Sequence, residues 1–334
     1  MGIQRAAQID KCTSSFNRPD NGFGRSKNCL LRRRRYAGIR LVTRDLLVGL
    51  IGANIQKSLS PALFADVCVA AGRRGYYHLM DVDVLAGRGL PDLLGAARTA
   101  GFVGLNVTYP FKEAVPALLD AVSADARQIG AVNTVTIGRD GTTTGYNTDR
   151  IGFRRSFEEK FGRDAVAGKT AILVGAGGAG RAVAFALCDL GVATLLVSDK
   201  NTTQATGLVA ALTAAFGPDR CRVESDPVSA LAAAAGMVNA TPVGMTGFPG
   251  LPIVPDAIQA HHWVADVIYT PLETEFLKAA RAKGARVMGG AGMCVHQAVE
   301  AFRLFTGLAP DVERLHAAFA RAAVLRDRLS EAAE

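Results

Sequence analysis

Three observations predict an α/β protein of two domains. The chain has 334 residues, enough for two cores of ordinary size. From Leu46 onward, short apolar runs alternate with helix-forming segments, the pattern of a parallel sheet with helices on both faces. Halfway along, at residues 169–201, a strand runs straight into a glycine-rich loop, an almost wholly apolar helix and a second strand. That order is the signature of a Rossmann-type dinucleotide-binding domain.

The elements follow in order. LLVGLIG (46–52) reads as a buried strand, followed by a turn and the helix PALFADVCVAAG (61–72) with proline at its start. YYHLMDVD (76–83) and FVGLNVT (102–108) are strands on either side of a helix near 91–100. Pro110 has the fixed φ of a helix start, so a further helix is predicted from it, with Lys112 in its first turn. A cation there opposes the helix dipole by ~0.3–1 kcal/mol, so helix stability does not explain Lys112. GAVNTVTI and TTTGYN, separated by Arg139-Asp140-Gly141, form a short hairpin. In the second unit, the strand ending at Asp199 is followed by MVNAT, WVADVIY, a helix around 273–283 and the short strand RVMGG. Two amphipathic helices, around 292–306 and 311–329, end the chain.

An apolar fraction of 49% with 20% charged residues describes a globular protein, and no apolar run has the roughly 18–20 residues of a membrane span. The net charge of +8 is confined to residues 1–45, which carry eleven Lys and Arg against three Asp; the other 289 residues balance 27 against 27. The tail has no apolar signal-peptide segment. It reads as a disordered extension, with organelle targeting or a basic binding arm as alternatives. Six cysteines show no C-x-x-C pair and no metal-ligand spacing, so reduced thiols in a cytoplasmic protein without a metal are expected. His261-His262 precedes a strand, and His296 reads as a packing residue in a helix.

The glycine loop carries the strongest chemical signal. Gly175, Gly177 and Gly180 follow a strand, open a helix and precede an acid at the end of the next strand. Glycine lets the backbone turn tightly and approach a pyrophosphate, whose charge meets the helix N-terminus. Asp199 is placed to accept hydrogen bonds from the adenosine ribose and would repel a 2′-phosphate, which favours NAD over NADP. The adjacent Lys200 partly offsets that repulsion.

Taken together, the segments resemble the shikimate dehydrogenase family, most closely its NAD-dependent quinate/shikimate branch. The resemblance rests on Lys57-Ser-Leu-Ser-Pro61, Asn106-Val-Thr-Tyr-Pro-Phe-Lys112, Gly130-Ala-Val-Asn133-Thr-Val and Asn147-Thr-Asp149. The glycine loop, Asn239-Ala-Thr-Pro-Val-Gly-Met245 and Gln297-Ala-Val-Glu-Ala-Phe continue it in the family's order over about residues 46–325. It implies a substrate domain at 46–148 completed by 290–334, a Rossmann domain at 149–289, and an active site in the cleft between them. It further implies Lys112 as catalytic general acid/base with Asp149 beside it. Ser58, Ser60, Asn106, Thr108, Asn133, Tyr269 and Gln297 would hold shikimate or quinate. Gly175, Ala176, Gly177, Gly178, Ala179, Gly180, Asp199, Lys200, Asn239, Thr241, Gly290 and Met293 would line the cofactor.

The chemistry suits the assignment, because oxidising a secondary alcohol needs a base within hydrogen-bond reach of the hydroxyl as hydride leaves carbon. Plainer roles stay open: Ser60 and Asp149 each stand where a helix cap would, whereas Ser58 is not needed for capping. NADP-using members carry an Asn-Arg-Thr stretch where Asp199-Lys200-Asn201 stands here. The alternatives are an NADP-dependent biosynthetic enzyme and, from another class, a non-catalytic metabolite sensor whose tail touches nucleic acid, although the tail shows no DNA-binding motif. The partner expected is a small molecule, with no membrane and no nucleic acid, and the protein is a monomer or homodimer.

Overall fold

In the computed structural model the described residues are 45–331; the expectations for the basic tail fall on 1–44, outside them. The first sheet has six strands: β1 (Leu46–Gly52), β2 (Gly75–Asp81), β3 (Gly104–Val107), β4 (Ala121–Val122), β5 (Thr134–Ile137) and β6 (Thr143–Tyr146), in the order β2-β1-β3-β5-β6-β4. β1, β2 and β3 run parallel, joined through the helices α1 (Ser60–Ala70) and α2 (Leu90–Ala100). β5 runs antiparallel to both β3 and β6, so this sheet is mixed. The five residues between β5 and β6 are too few for a crossover and suffice for a hairpin, with Gly141 at φ +83°.

The helix expected from Pro110 does not form. In a helix, Pro116 would have to donate to the Lys112 carbonyl four residues back, but it has no N–H and its ring would clash there. That carbonyl instead accepts the Val132 N–H at 2.8 Å. Lys112 sits in a turn after the cis Tyr109–Pro110 peptide, ahead of a short 3-10 helix at Val115–Leu118, so it is not in the first turn of an α-helix of its own. The short helix α3 (Ala124–Ile129), capped by Ser123, escaped the sequence reading.

α4 (Asp149–Phe161) leads from the first sheet to the second, which is wholly parallel: β7 (Thr170–Val174), β8 (Thr194–Ser198), β9 (Cys221–Val223), β10 (Gly236–Asn239), β11 (Trp263–Asp266) and β12 (Arg286–Met288). Their order, β12-β11-β10-β7-β8-β9, is the doubly wound order: successive strands are added on one side of β7 as far as β9 and then on its other side from β10. α5 (Gly178–Asp189) follows β7 and is buried from Ala182 to Cys188 because its residues are apolar almost all round. α6 (Thr202–Phe216), α7 (Pro227–Leu231) and α8 (Glu275–Ala282) complete the layers.

The last helices, α9 (Ala291–Thr306) and α10 (Val312–Glu331), return to the first sheet. Val295, Val299, Phe302, Leu315 and Phe319 share one apolar core with Leu46, Val48, Leu63 and Phe64. Arg150 at the start of α4 ties the two parts together. It donates to both carboxylate oxygens of Asp189 at 2.7 Å, pairs with Asp125, and lies over the Phe185 ring. No helix among the described residues is long and apolar enough to cross a membrane.

Candidate active site

Lys112 and Asp149 meet where the first sheet faces the glycine loop. Lys112 Nζ donates to Asp149 Oδ2 at 2.6 Å, and their side chains are only 17% and 7% exposed. Asp149 is the first residue of α4 but does not cap it. The Asn147 side-chain oxygen, Oδ1, accepts the amides of Asp149 and Arg150 instead, which leaves the Asp149 carboxylate to the lysine. The turn holding Lys112 rests on the start of α5: a Cβ on Gly178 would lie 2.8 Å from the Lys112 Cβ.

A chain of polar side chains links β2, β3 and β5 to Thr148, the residue before Asp149, and on to α9. Tyr77 Oη donates to Asn106 Oδ1 at 3.0 Å, and Asn106 Nδ2 donates to Thr134 Oγ1 at 3.1 Å. Thr134 Oγ1 donates to Asn133 Oδ1, which also accepts the Thr148 amide at 2.8 Å. Thr148 Oγ1 reaches Gln297 Oε1 on α9 at 3.4 Å. Asn106 and Gln297 are partly exposed, whereas Asn133 is buried with both ends of its amide bonded to the protein.

Ser58 and Ser60 stand at the start of α1. Contrary to the expectation from sequence, Ser58 makes the local bond, accepting the Ser60 amide at 3.3 Å, and the N-cap position falls on Leu59, without a side-chain bond. The serine hydroxyls pair with tyrosines, Ser60 with Tyr77 and Ser58 with Tyr269. Burial pushes both phenols well above the usual tyrosine range, so they stay neutral hydroxyls. Thr108 follows β3, and its methyl packs over Gly52, where a Cβ would lie 2.3 Å away. Beneath Gln297, burial pushes the Cys294 thiol up to about 12, with the Asp149 charge adding to the effect, so it is no nucleophile.

The second sheet gathers the other expected residues at the carboxyl ends of its strands. Gly175 takes φ +106°, and a Cβ there would stand 2.7 Å from the Ala240 backbone. A Cβ on Gly180 would lie 1.9 Å from the Gly175 carbonyl oxygen, so only glycine allows the helix so close to the loop. Gly177 is the N-cap residue of α5, followed by Gly178 and Ala179 in its first turn. Asp199, just beyond β8, accepts the Ala176 amide at 2.7 Å and the Asn201 amide at 2.8 Å, while Lys200 is exposed. Each carboxylate oxygen keeps a further lone pair for a ribose hydroxyl.

Asn239, fully buried, donates to Val243 O and Asp266 Oδ1 and accepts from Thr241, so its side chain supports the loop after β10. Gly290 lies against the Val267 carbonyl at the start of α9, and Met293 is buried one turn on. A glycine cradle that any Cβ would fill, a helix N-terminus and a carboxylate at the end of β8 fit a dinucleotide. Tyr77, Thr134 and Thr148 escaped the sequence reading. The alternation of YYHLMD, exposed at Tyr76 and inward at Tyr77, was the available signal for the first.

A family model described as the shikimate dehydrogenase substrate binding domain matches residues 50–135, and one described as the shikimate 5′-dehydrogenase C-terminal domain matches residues 290–318. A quinate/shikimate dehydrogenase (NAD(+)) of Corynebacterium efficiens is 48% identical over 279 residues, 82% of this chain and 98% of the relative. A shikimate dehydrogenase (NADP(+)) of Streptomyces avermitilis is 44% identical over 287 residues, 84% of this chain and 98% of the relative. Among solved structures, quinate dehydrogenase from Corynebacterium glutamicum in complex with NAD is similar at a TM-score of 0.76 and 44% identity. The match covers 83% of this chain and all of that one.

Proposed function

The chain belongs to the shikimate dehydrogenase family, and on that premise we propose that it is an NAD-dependent quinate/shikimate dehydrogenase. It reversibly oxidises the C3 hydroxyl of shikimate or quinate to the 3-dehydro ketone. The observation that carries this reading is the 2.6 Å contact of Lys112 with Asp149 beside the glycine loop. NAD supplies the hydride acceptor when bound. Lys112 Nζ takes up the proton leaving the hydroxyl oxygen and returns it in the reverse direction, while Asp149 holds Nζ in place.

Ser58 and Ser60 bind the substrate carboxylate by turning to it the hydroxyl protons that Tyr269 and Tyr77 otherwise accept. Asn106, Thr108 and Gln297 contact the ring hydroxyls, and Asn133 positions Thr148 and the start of α4. The glycine loop takes the pyrophosphate, Asp199 the adenosine ribose, and the start of α9, at Gly290 and Met293, the nicotinamide end. Asn239 acts through Thr241, whose amide and hydroxyl it holds. The exposed Lys200 beside Asp199 favours a second reading, in which NADP is also used. We place the protein in the cytoplasm as a monomer or homodimer. The Lys112–Asp149 pair argues against a non-catalytic sensor.

The test is turnover of each acid with NAD, followed by NADH absorbance and by identification of the ketone. NAD-dependent formation of a 3-dehydro product supports the reading, and its absence with both acids overturns it.

A further inference from the structure

Away from the cleft, three residues far apart in sequence converge: Glu159 near the end of α4, His296 in α9 and His316 in α10. One donor atom from each lies within 4.8 Å of the others. His296 Nε2 is 2.9 Å from Glu159 Oε2, and the His296 and His316 rings meet edge to face with centroids 5.5 Å apart. The His296 ring is buried and its Nδ1 has no hydrogen-bond partner, so no second bond fixes its tautomer. The Glu159 side chain is 56% exposed and His316 is partly exposed, which leaves the cluster open to water.

We propose that Glu159, His296 and His316 form a binding site for a borderline divalent transition-metal ion such as zinc. Two imidazoles and one carboxylate suit that class of ion, and a water completes the tetrahedron. Donors at about 2.0–2.2 Å from zinc stand roughly 3.3–3.5 Å apart. Closing the present spacing therefore asks for shifts of about an ångström, which the exposed Glu159 carboxylate and the His316 ring can supply. The ion would cross-link α4, α9 and α10. Glu159 is ten residues along α4 from Asp149, about 15 Å by helix rise. The site is therefore a structural brace, separate from the reacting atoms.

The experiment uses the full chain, stripped with chelator and titrated with zinc chloride in a calorimeter, alongside Glu159→Gln, His316→Ala and, as a control, His261→Ala at the exposed histidine before β11. Saturable binding of one zinc per chain is expected, with a raised unfolding temperature. Glu159→Gln and His316→Ala should each weaken binding by more than about tenfold, as loss of a ligand should exceed loss of a ligand's supporting bond. Both remove partly exposed side chains, and their turnover without zinc should match wild type. His261→Ala should bind as wild type does. Absence of saturable binding in wild type, or undiminished affinity in both cluster variants, would overturn the site and leave a hydrogen-bonded His–Glu pair.

Discussion

The carboxylate of Asp199 accepts the amide hydrogen of Ala176 at 2.7 Å, so the acid after β8 is also a clamp on the glycine loop. Asp199→Asn should therefore do two things. Loss of the charge removes repulsion toward a 2′-phosphate, and loss of a charge-assisted bond, on the order of 1.5–3 kcal/mol, loosens the loop and weakens NAD use. The NADP/NAD ratio of kcat/KM should rise, and a further Lys200→Arg should raise it again through a bidentate phosphate contact. An unchanged ratio in Asp199→Asn would contradict the ribose assignment.

Gly178→Ala should reduce turnover without abolishing folding. The new methyl would lie 2.8 Å from the Lys112 Cβ, which is too close, and the lysine turn must move. A displacement near 1 Å at a catalytic group costs up to about 10²-fold in rate. The check is kcat in a variant that keeps the wild-type circular dichroism; a fully active Gly178→Ala would show that the turn is not positioned by this contact.

Asp266 sets a stability dependence on pH. Burial raises its pKa from 3.8 to about 6, against opposing bonds from Ile268, Thr274 and Asn239. A raised pKa means the folded state holds the proton more tightly. The stabilisation is full below about pH 3.8 and is lost as pH rises through about 6, on the order of 3 kcal/mol in all. Relative to Asp266→Asn, wild type should thus lose stability between those limits in urea unfolding. Parallel pH profiles of the two proteins would refute this.

Much of the architecture was legible because strand and helix periods and the glycine loop are local signals. The β7–α5–β8 unit and the β5–β6 hairpin appear where their sequences place them. The missing helix at Pro110 is also local in origin: Pro110 favours a helix start, but Pro116, four residues beyond Lys112, forbids the helix from continuing. Lys112, Asp149 and the glycine loop could be picked out by motif. The Ser58–Tyr269 and Ser60–Tyr77 pairs and the Glu159–His296–His316 cluster could not, since each joins residues brought together only by tertiary packing.

The central claim is that Lys112, held by Asp149, handles the proton of the reacting hydroxyl. Single-turnover hydride transfer from saturating shikimate to NAD, compared between wild type and Lys112→Ala, tests it most directly. The expected result is a rate lower by ~10²–10⁴-fold, the usual contribution of a positioned acid/base, with the fold and NAD affinity retained and the unfolding temperature lowered by the unpaired Asp149 carboxylate. A Lys112→Ala protein that transfers hydride at close to the wild-type rate would contradict the account.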